Sequence, residues 1–164
     1  MTSFLLQDDL IEELKSIFKG FLLKKPLLDS QINPKISELN IFSQNLPLHE
    51  DDNEEDDPYP YIIVKIDSGN MKGDSAHDVR VRLVIGIFDD NINRNGHKDI
   101  LNVIQKIYER FSKDPVLAGK YVMKENNENP FSWALQEDDT YPYYFGAIEM
   151  TWETRAIRRE SKFT

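Results

Sequence analysis

Three groups of residues are of types that could do chemistry at their spacing. The first is Glu50 to Asp57, Glu-Asp-Asp-Asn-Glu-Glu-Asp-Asp, a run with seven acids. Carboxylates at that density could hold a divalent cation, but a calcium loop alternates its ligands around a turn glycine, and this run has none. Like charges repel, and nothing apolar in the run offsets the entropy of ordering it, so a solvated loop is expected. The second is Asn91-x-Asn93-x-Asn95-Gly96, which does alternate oxygen ligands before a glycine. It departs from a calcium loop at both ends. The first position is Asn rather than Asp, and the twelfth, Asn102, cannot supply a bidentate carboxylate. A polar loop closed by Gly96 is expected, with His97 at the start of the helix that follows. The third is Arg80 and Arg82, two residues apart on a strand and therefore on one face. They could meet carboxylates of a neighbouring strand or of a partner.

No group forms a catalytic constellation. Asp89, Asp90, Asp138 and Asp139 lie scattered in polar loops without the pairing that general acid–base work needs. His97 has no companion at a recognisable spacing. The chain contains no cysteine, which excludes disulfides and thiolate-bound zinc. The expectation is a protein that is not an enzyme, with no catalytic residues, no cofactor and no metal, whose work is binding or assembly.

Charge and length narrow the classes further. The 164 residues suit one domain with a real hydrophobic core. The formal net charge is -9, and seven of the acids responsible lie in the one run, so the rest of the chain is close to neutral. Broad binding to phosphate backbones needs clustered Lys and Arg, so no sequence-specific nucleic-acid partner is expected. The basic exception is Arg155, Arg158, Arg159 and Lys162. No apolar run is long enough to span a bilayer and no basic-then-apolar leader opens the chain, so no membrane partner is expected. A cysteine-free chain suits a reducing cytoplasm.

The elements that must position these residues follow from periodicity. Leu10, Leu14, Ile17, Phe18 and Phe21 predict a helix from about Phe4, weakened at Gly20 and stopped by Pro26. Ile32, Ile36, Leu39, Ile41 and Phe42 fit either a short strand or a helical turn. Tyr61 to Asp67 alternates as a strand. The clearest unit is Val79 to Phe111, a strand, the polar loop and an amphipathic helix. Val79, Val81, Leu83, Ile85 and Ile87 form its core face. The other face starts with Arg80 and Arg82 and turns apolar at Val84 and Phe88, so its second half should be covered by the chain's own arm or by a neighbour. Leu117 to Lys124 and Phe131 to Glu137 read as strands joined by a hairpin-like turn at Asn126 to Pro130. In the last strand Tyr143 and Phe145 oppose Tyr144, Ile148 and Trp152, so both faces are apolar and both should be covered. Arg80, Arg82, Phe88, Tyr143 and Phe145 are therefore the candidate subunit-interface residues.

Three pieces in this order resemble a known family: Tyr-Pro-Tyr-Ile-Ile-Val-Lys, Val-Arg-Leu-Val-Ile-Gly-Ile-Phe-Asp-Asp, and Gln-Glu-Asp-Asp-Thr-Tyr-Pro-Tyr-Tyr-Phe-Gly-Ala-Ile-Glu-Met-Thr-Trp-Glu. Over roughly residues 58 to 160 the chain looks like the tail terminator, or tail completion, proteins of bacteriophages and prophages. The resemblance implies an antiparallel sheet with helices packed on it, assembled as a homo-oligomeric ring, a hexamer in the family. Such a ring caps the tail tube, ends its polymerisation and meets the neck or head-completion protein. It implies a place in the virion tail, with assembly in the host cytoplasm, and no cofactor.

With the elements above, the expected fold is α+β: a mostly antiparallel sheet of four to five strands with two main helices packed on it. Residues 1–57 would be a helix and an irregular arm ending in the acidic loop, 58–155 the sheet domain, and 156–164 a basic tail. Two other functions compete. One is another tail or head-completion component, such as a tube subunit or neck protein. The other, resting on Glu50 to Asp57, is an acidic inhibitor that mimics DNA.

Overall fold

The computed structural model describes residues 3–26, 35–48, 57–71, 73 and 76–155. All of the acidic run except Asp57, and the tail beyond Arg155, lie outside the described residues. So does Ile32.

Helix α1 covers Ser3–Ile17. Leu6, Leu10 and Leu14 recur every four residues and are fully buried, which is the face that holds the helix down. The helix ends well before Pro26. Gly20 adopts φ +80, a left-handed conformation that reverses the chain, and its N–H donates to the Glu38 carboxylate at 2.8 Å. Leu22–Lys25 then forms strand β1, which pairs antiparallel with β2, Lys35–Glu38. The expected last turns of helix are thus a strand, because the glycine supplies a turn that no other residue there could adopt cheaply.

Strand β3 is Asn40–Ser43, β4 is Tyr61–Asn70 and β5 is His77–Phe88. Helix α2, Gly96–Lys113, follows the polar loop, and Asp114 and Pro115 stop it. Then come β6 (Val116–Leu117), β7 (Tyr121–Lys124), β8 (Ser132–Leu135) and β9 (Tyr143–Thr154). The main sheet runs β3-β4-β5-β9-β7-β6, with β8 also paired to β9. Every pairing is antiparallel except β3 with β4.

The fold is α+β with two helices, as expected, but the strongly curled main sheet has seven strands rather than four to five. The extra strands are short. The parallel partner β3 and the two-residue β6 form only through long-range pairing, and a local alternation pattern does not reveal them. A second correction concerns β7 and β8, which are not the arms of a hairpin. β5 occupies one edge of β9 along its whole length, so β7 and β8 share the other. Val122 to Lys124 lie opposite Glu153 to Thr151, and Ser132 to Leu135 opposite Glu149 to Gly146. They lie in succession along the same edge of β9, separated by residues 125–131, and β6 pairs with the far side of β7.

The core lies between the sheet and the two helices. Val79, Val81, Leu83, Ile85 and Ile87 of β5 meet Ile148, Met150 and Trp152 of β9 on the same face. Ile100, Val103, Ile107 and Phe111 of α2 are buried in the same cluster, as are Leu6, Leu10 and Leu14 of α1. Phe111 stands edge-on to Trp152 at 5.0 Å. Each such aliphatic side chain contributes about 2 kcal/mol through burial. A Glu13–Arg110 ion pair ties α1 to α2.

Candidate assembly face

The opposite face of β4, β5 and β9 is where the sequence-derived residues come together. In the β5–β9 register Arg80 lies opposite Thr151, Arg82 opposite Glu149, Gly86 opposite Phe145 and Phe88 opposite Tyr143. Arg80, Arg82, Phe88, Tyr143 and Phe145 thus share one face but form two ends of it. From Arg82 to Phe88 the strand advances about 20 Å.

The apolar end is an aromatic cluster organised by Tyr59. Its ring lies 5.0 Å from Tyr61, 4.7 Å from Tyr143 and 6.2 Å from Phe145, centroid to centroid. Phe88 packs on Tyr143 at 5.6 Å and Phe42 on Tyr61 at 6.4 Å. Two Tyr-Pro-Tyr corners build this end, Tyr59-Pro60-Tyr61 and Tyr141-Pro142-Tyr143, and both X–Pro bonds are cis. Gly86 lies beneath the Tyr61 ring, where a Cβ would collide with it. Burial, reinforced by the neighbouring Tyr61 hydroxyl, holds the Tyr59 phenol far above its usual pKa. Burial also raises Tyr61. These phenols stay neutral and act as packing groups with a polar rim. Phe88, packed against Tyr143, is 9% exposed, whereas Tyr143 and Phe145 remain half-buried.

The polar end is a shallow cleft of about 120 Å³ lined by Asp67, Arg80, Arg82, Glu128, Asn129 and Glu149 among others. Arg82 bridges its two neighbouring strands, 3.3 Å from Asp67 and 3.0 Å from Glu149. It is a cross-strand-paired arginine. Arg80 is exposed and makes no ion pair among the described residues. The loop between β7 and β8 folds over this end, with Thr151 donating to Asn129 Oδ1 at 3.4 Å.

At the corner beside the aromatic end, the Asn-rich loop binds protein rather than presenting a cation cage. Asp89 Oδ1 accepts from the Asn91 N–H, and Asn91 Oδ1 from the Asn93 N–H, two successive Asx turns. The Asp89 N–H donates to Pro142 O at 2.9 Å, and the Tyr141 hydroxyl donates to Asp90 O at 2.6 Å. Arg94 pairs with Asp139 and lies over the Tyr141 ring. Lys24 reaches Asp89 at 3.3 Å. His97 is exposed in the first turn of α2. Among the described residues no three His, Asp or Glu side chains cluster as a metal site would require.

Two residues that matter here were not singled out from the sequence. Tyr59 is the hub of the aromatic end, and the repeated Tyr-Pro-Tyr was the available signal. Trp133 alternates with Phe131 and Leu135 as a core residue would, yet it is 52% exposed, because β8 lies at the sheet's edge. No protein-family model matches the chain, and no curated protein matches it.

Proposed function

We propose that this chain is a structural protein of a phage or prophage tail that caps the tail tube as a closed homo-oligomeric ring, ends tube polymerisation and joins the tail to the neck. The observation that carries the reading is the arrangement of the three resembling pieces. They are the strands β4, β5 and β9, hydrogen-bonded neighbours at the centre of the sheet. Pieces far apart in the sequence thus form one continuous surface, half aromatic and half charged, of the mixed kind that suits a protein interface. A ring requires a heterologous contact that closes on itself. No reaction, cofactor or metal enters this function.

The competing tail reading is a tube subunit, which should polymerise rather than close. Light scattering or native mass spectrometry of the purified chain, alone and with its tube protein, separates the two. The ring reading expects a single closed species that binds tube ends, and open-ended growth would contradict it.

A further inference from the structure

Two strand edges are left unpaired among the described residues. The first is the outer edge of β8, which pairs only with β9. The Gln136 N–H donates to Phe145 O at 3.0 Å, so Gln136, Ala134 and Ser132 direct their backbone groups at β9. The N–H and C=O groups of Trp133 and Leu135 therefore point outward, beside a Trp133 side chain that is 52% exposed. The second is the outer edge of β2, which pairs only with β1. Leu22 and Ile36 share the face of that hairpin opposite the buried Leu23, and they are 52% and 60% exposed. Open edges flanked by exposed apolar side chains are templates for strand addition.

Charge matches these two edges to each other. Glu125 and Glu128 precede β8, and Glu137 and Asp138 follow it. All four are exposed and make no ion pair among the described residues. Lys25 and Lys35 stand opposite each other at one end of the β1–β2 hairpin, likewise without an ion pair among the described residues. Lys19 is exposed at the other end, next to the Gly20 N–H that donates to Glu38. Two copies of β8 laid antiparallel would set acids against acids, so that self-pairing is opposed. β2 laid antiparallel on β8 instead brings Lys25 and Lys35 toward Glu137 and Asp138, and Lys19 toward Glu125 and Glu128.

The fold prevents this contact within one chain. Leu39 alone joins β2 to β3, and β3 ends the main sheet on the side away from β8, with β4, β5 and β9 between them. The Gly20–Glu38 hydrogen bond and the Lys24–Asp89 ion pair hold the hairpin in place.

We propose that the β2 edge of one copy adds antiparallel to the β8 edge of the next. Donor and acceptor are different edges of the same chain, so the contact is heterologous and each joined pair still offers one free edge of each kind. In assigning the joint to a ring, the inference rests on the function proposed above.

The absence of native cysteine makes the test direct. Full-length chain carrying Ala134→Cys is mixed with full-length chain carrying Ile36→Cys or Ser37→Cys, which sample the two faces of β2, then oxidised. Docking raises the effective concentration of the thiols, so the mixed cross-linked pair should exceed either variant oxidised alone by about tenfold. The excess should fall in high salt, which screens the charges. Adding Lys25→Glu and Lys35→Glu to the β2 variant should abolish the excess, and adding Glu137→Lys and Asp138→Lys to its β8 partner should restore it. A misfolded hairpin would not be rescued in this way. Cross-linking of either variant with itself as readily as with the other overturns the pairing of unlike edges. A closed oligomer without the mixed cross-link overturns the joint and leaves the ring standing. A mixed cross-link confined to open chains supports the joint and removes the ring. A chain that stays monomeric and uncross-linked overturns the joint as well.

Discussion

The ring of Tyr59 packs on that of Tyr143, centroids 4.7 Å apart, and so joins the two Tyr-Pro-Tyr corners across the end of β5. This contact lies at the aromatic end of the candidate face, where Phe88 also packs on Tyr143. It also fixes where the segment leading out of the acidic run re-enters the fold.

Removing that ring should therefore cost stability as well as surface. Tyr59→Ala is expected to destabilise the chain by about 1–2 kcal/mol, less than a fully buried aromatic because Tyr59 is half-buried. Urea unfolding should show a lower midpoint at unchanged slope. An unchanged midpoint would mean that the cluster contributes nothing.

Gly86 is needed for the space beneath Tyr61, and Gly20 for its positive φ. Gly86→Ala is expected to displace Tyr61 at a cost of about 1–3 kcal/mol. Gly20→Ala, with open space around it, should lose about 1 kcal/mol through backbone strain alone. Thermal unfolding of the two variants should rank Gly86→Ala as the more damaging. Pairing it with Tyr61→Ala should relieve part of the loss, because the collision is gone.

Arg80 and Arg82 should separate assembly from stability. Arg82 is paired on both sides but partly exposed, so Arg82→Met is expected to cost less than about 1 kcal/mol, shrinking in salt. Arg80 pairs with nothing among the described residues, so Arg80→Glu should leave stability within about 0.5 kcal/mol. If the face joins protomers, Arg80→Glu should still lower the oligomer fraction measured by light scattering. An unchanged oligomer would place the contact elsewhere.

Asp99 sets a pH dependence. Its burial, and then the charge of Asp89, raise its pKa in the folded chain, with Lys24 opposing. A carboxyl raised on folding favours the folded state most at low pH. That contribution is lost as pH rises from the ordinary carboxylate value, about 4, through the raised folded one. Asp99→Asn removes the buried charge. It should raise the melting temperature near neutral pH, with the gain vanishing below about pH 4. A gain independent of pH would show that the carboxylate is not the cause.

The central unit was legible because its signals are local. Val79 to Ile87 alternates, the stripe from Ile100 to Phe111 is helical, and Pro115 ends it. Tyr143 to Trp152, apolar on both faces, is buried on its core face at Ile148, Met150 and Trp152, while Tyr143 and Phe145 on the other face remain half-buried. What was missed depends on partners far away in sequence. β3 exists only because β4 lies beside it in parallel. Asn126 to Pro130 has the composition of a hairpin turn, yet β9 draws β7 and β8 into line instead. In the sequence Gly20 reads as a weak spot in a helix, whereas its left-handed φ ends the helix and starts a strand. At the site, Arg82 and Glu149 follow from alternation once strand order is known. The meeting of Tyr59 with Tyr143 needed the fold itself.

The most direct test of the terminator function is the length of tails made without this chain. Electron microscopy of tails from a strain lacking its gene, in the host that produces the phage or prophage, should show overlong tubes with unfinished ends and few joined heads. Complementation should restore a single length. Tails of normal length with clean ends in the deletion strain would contradict the account.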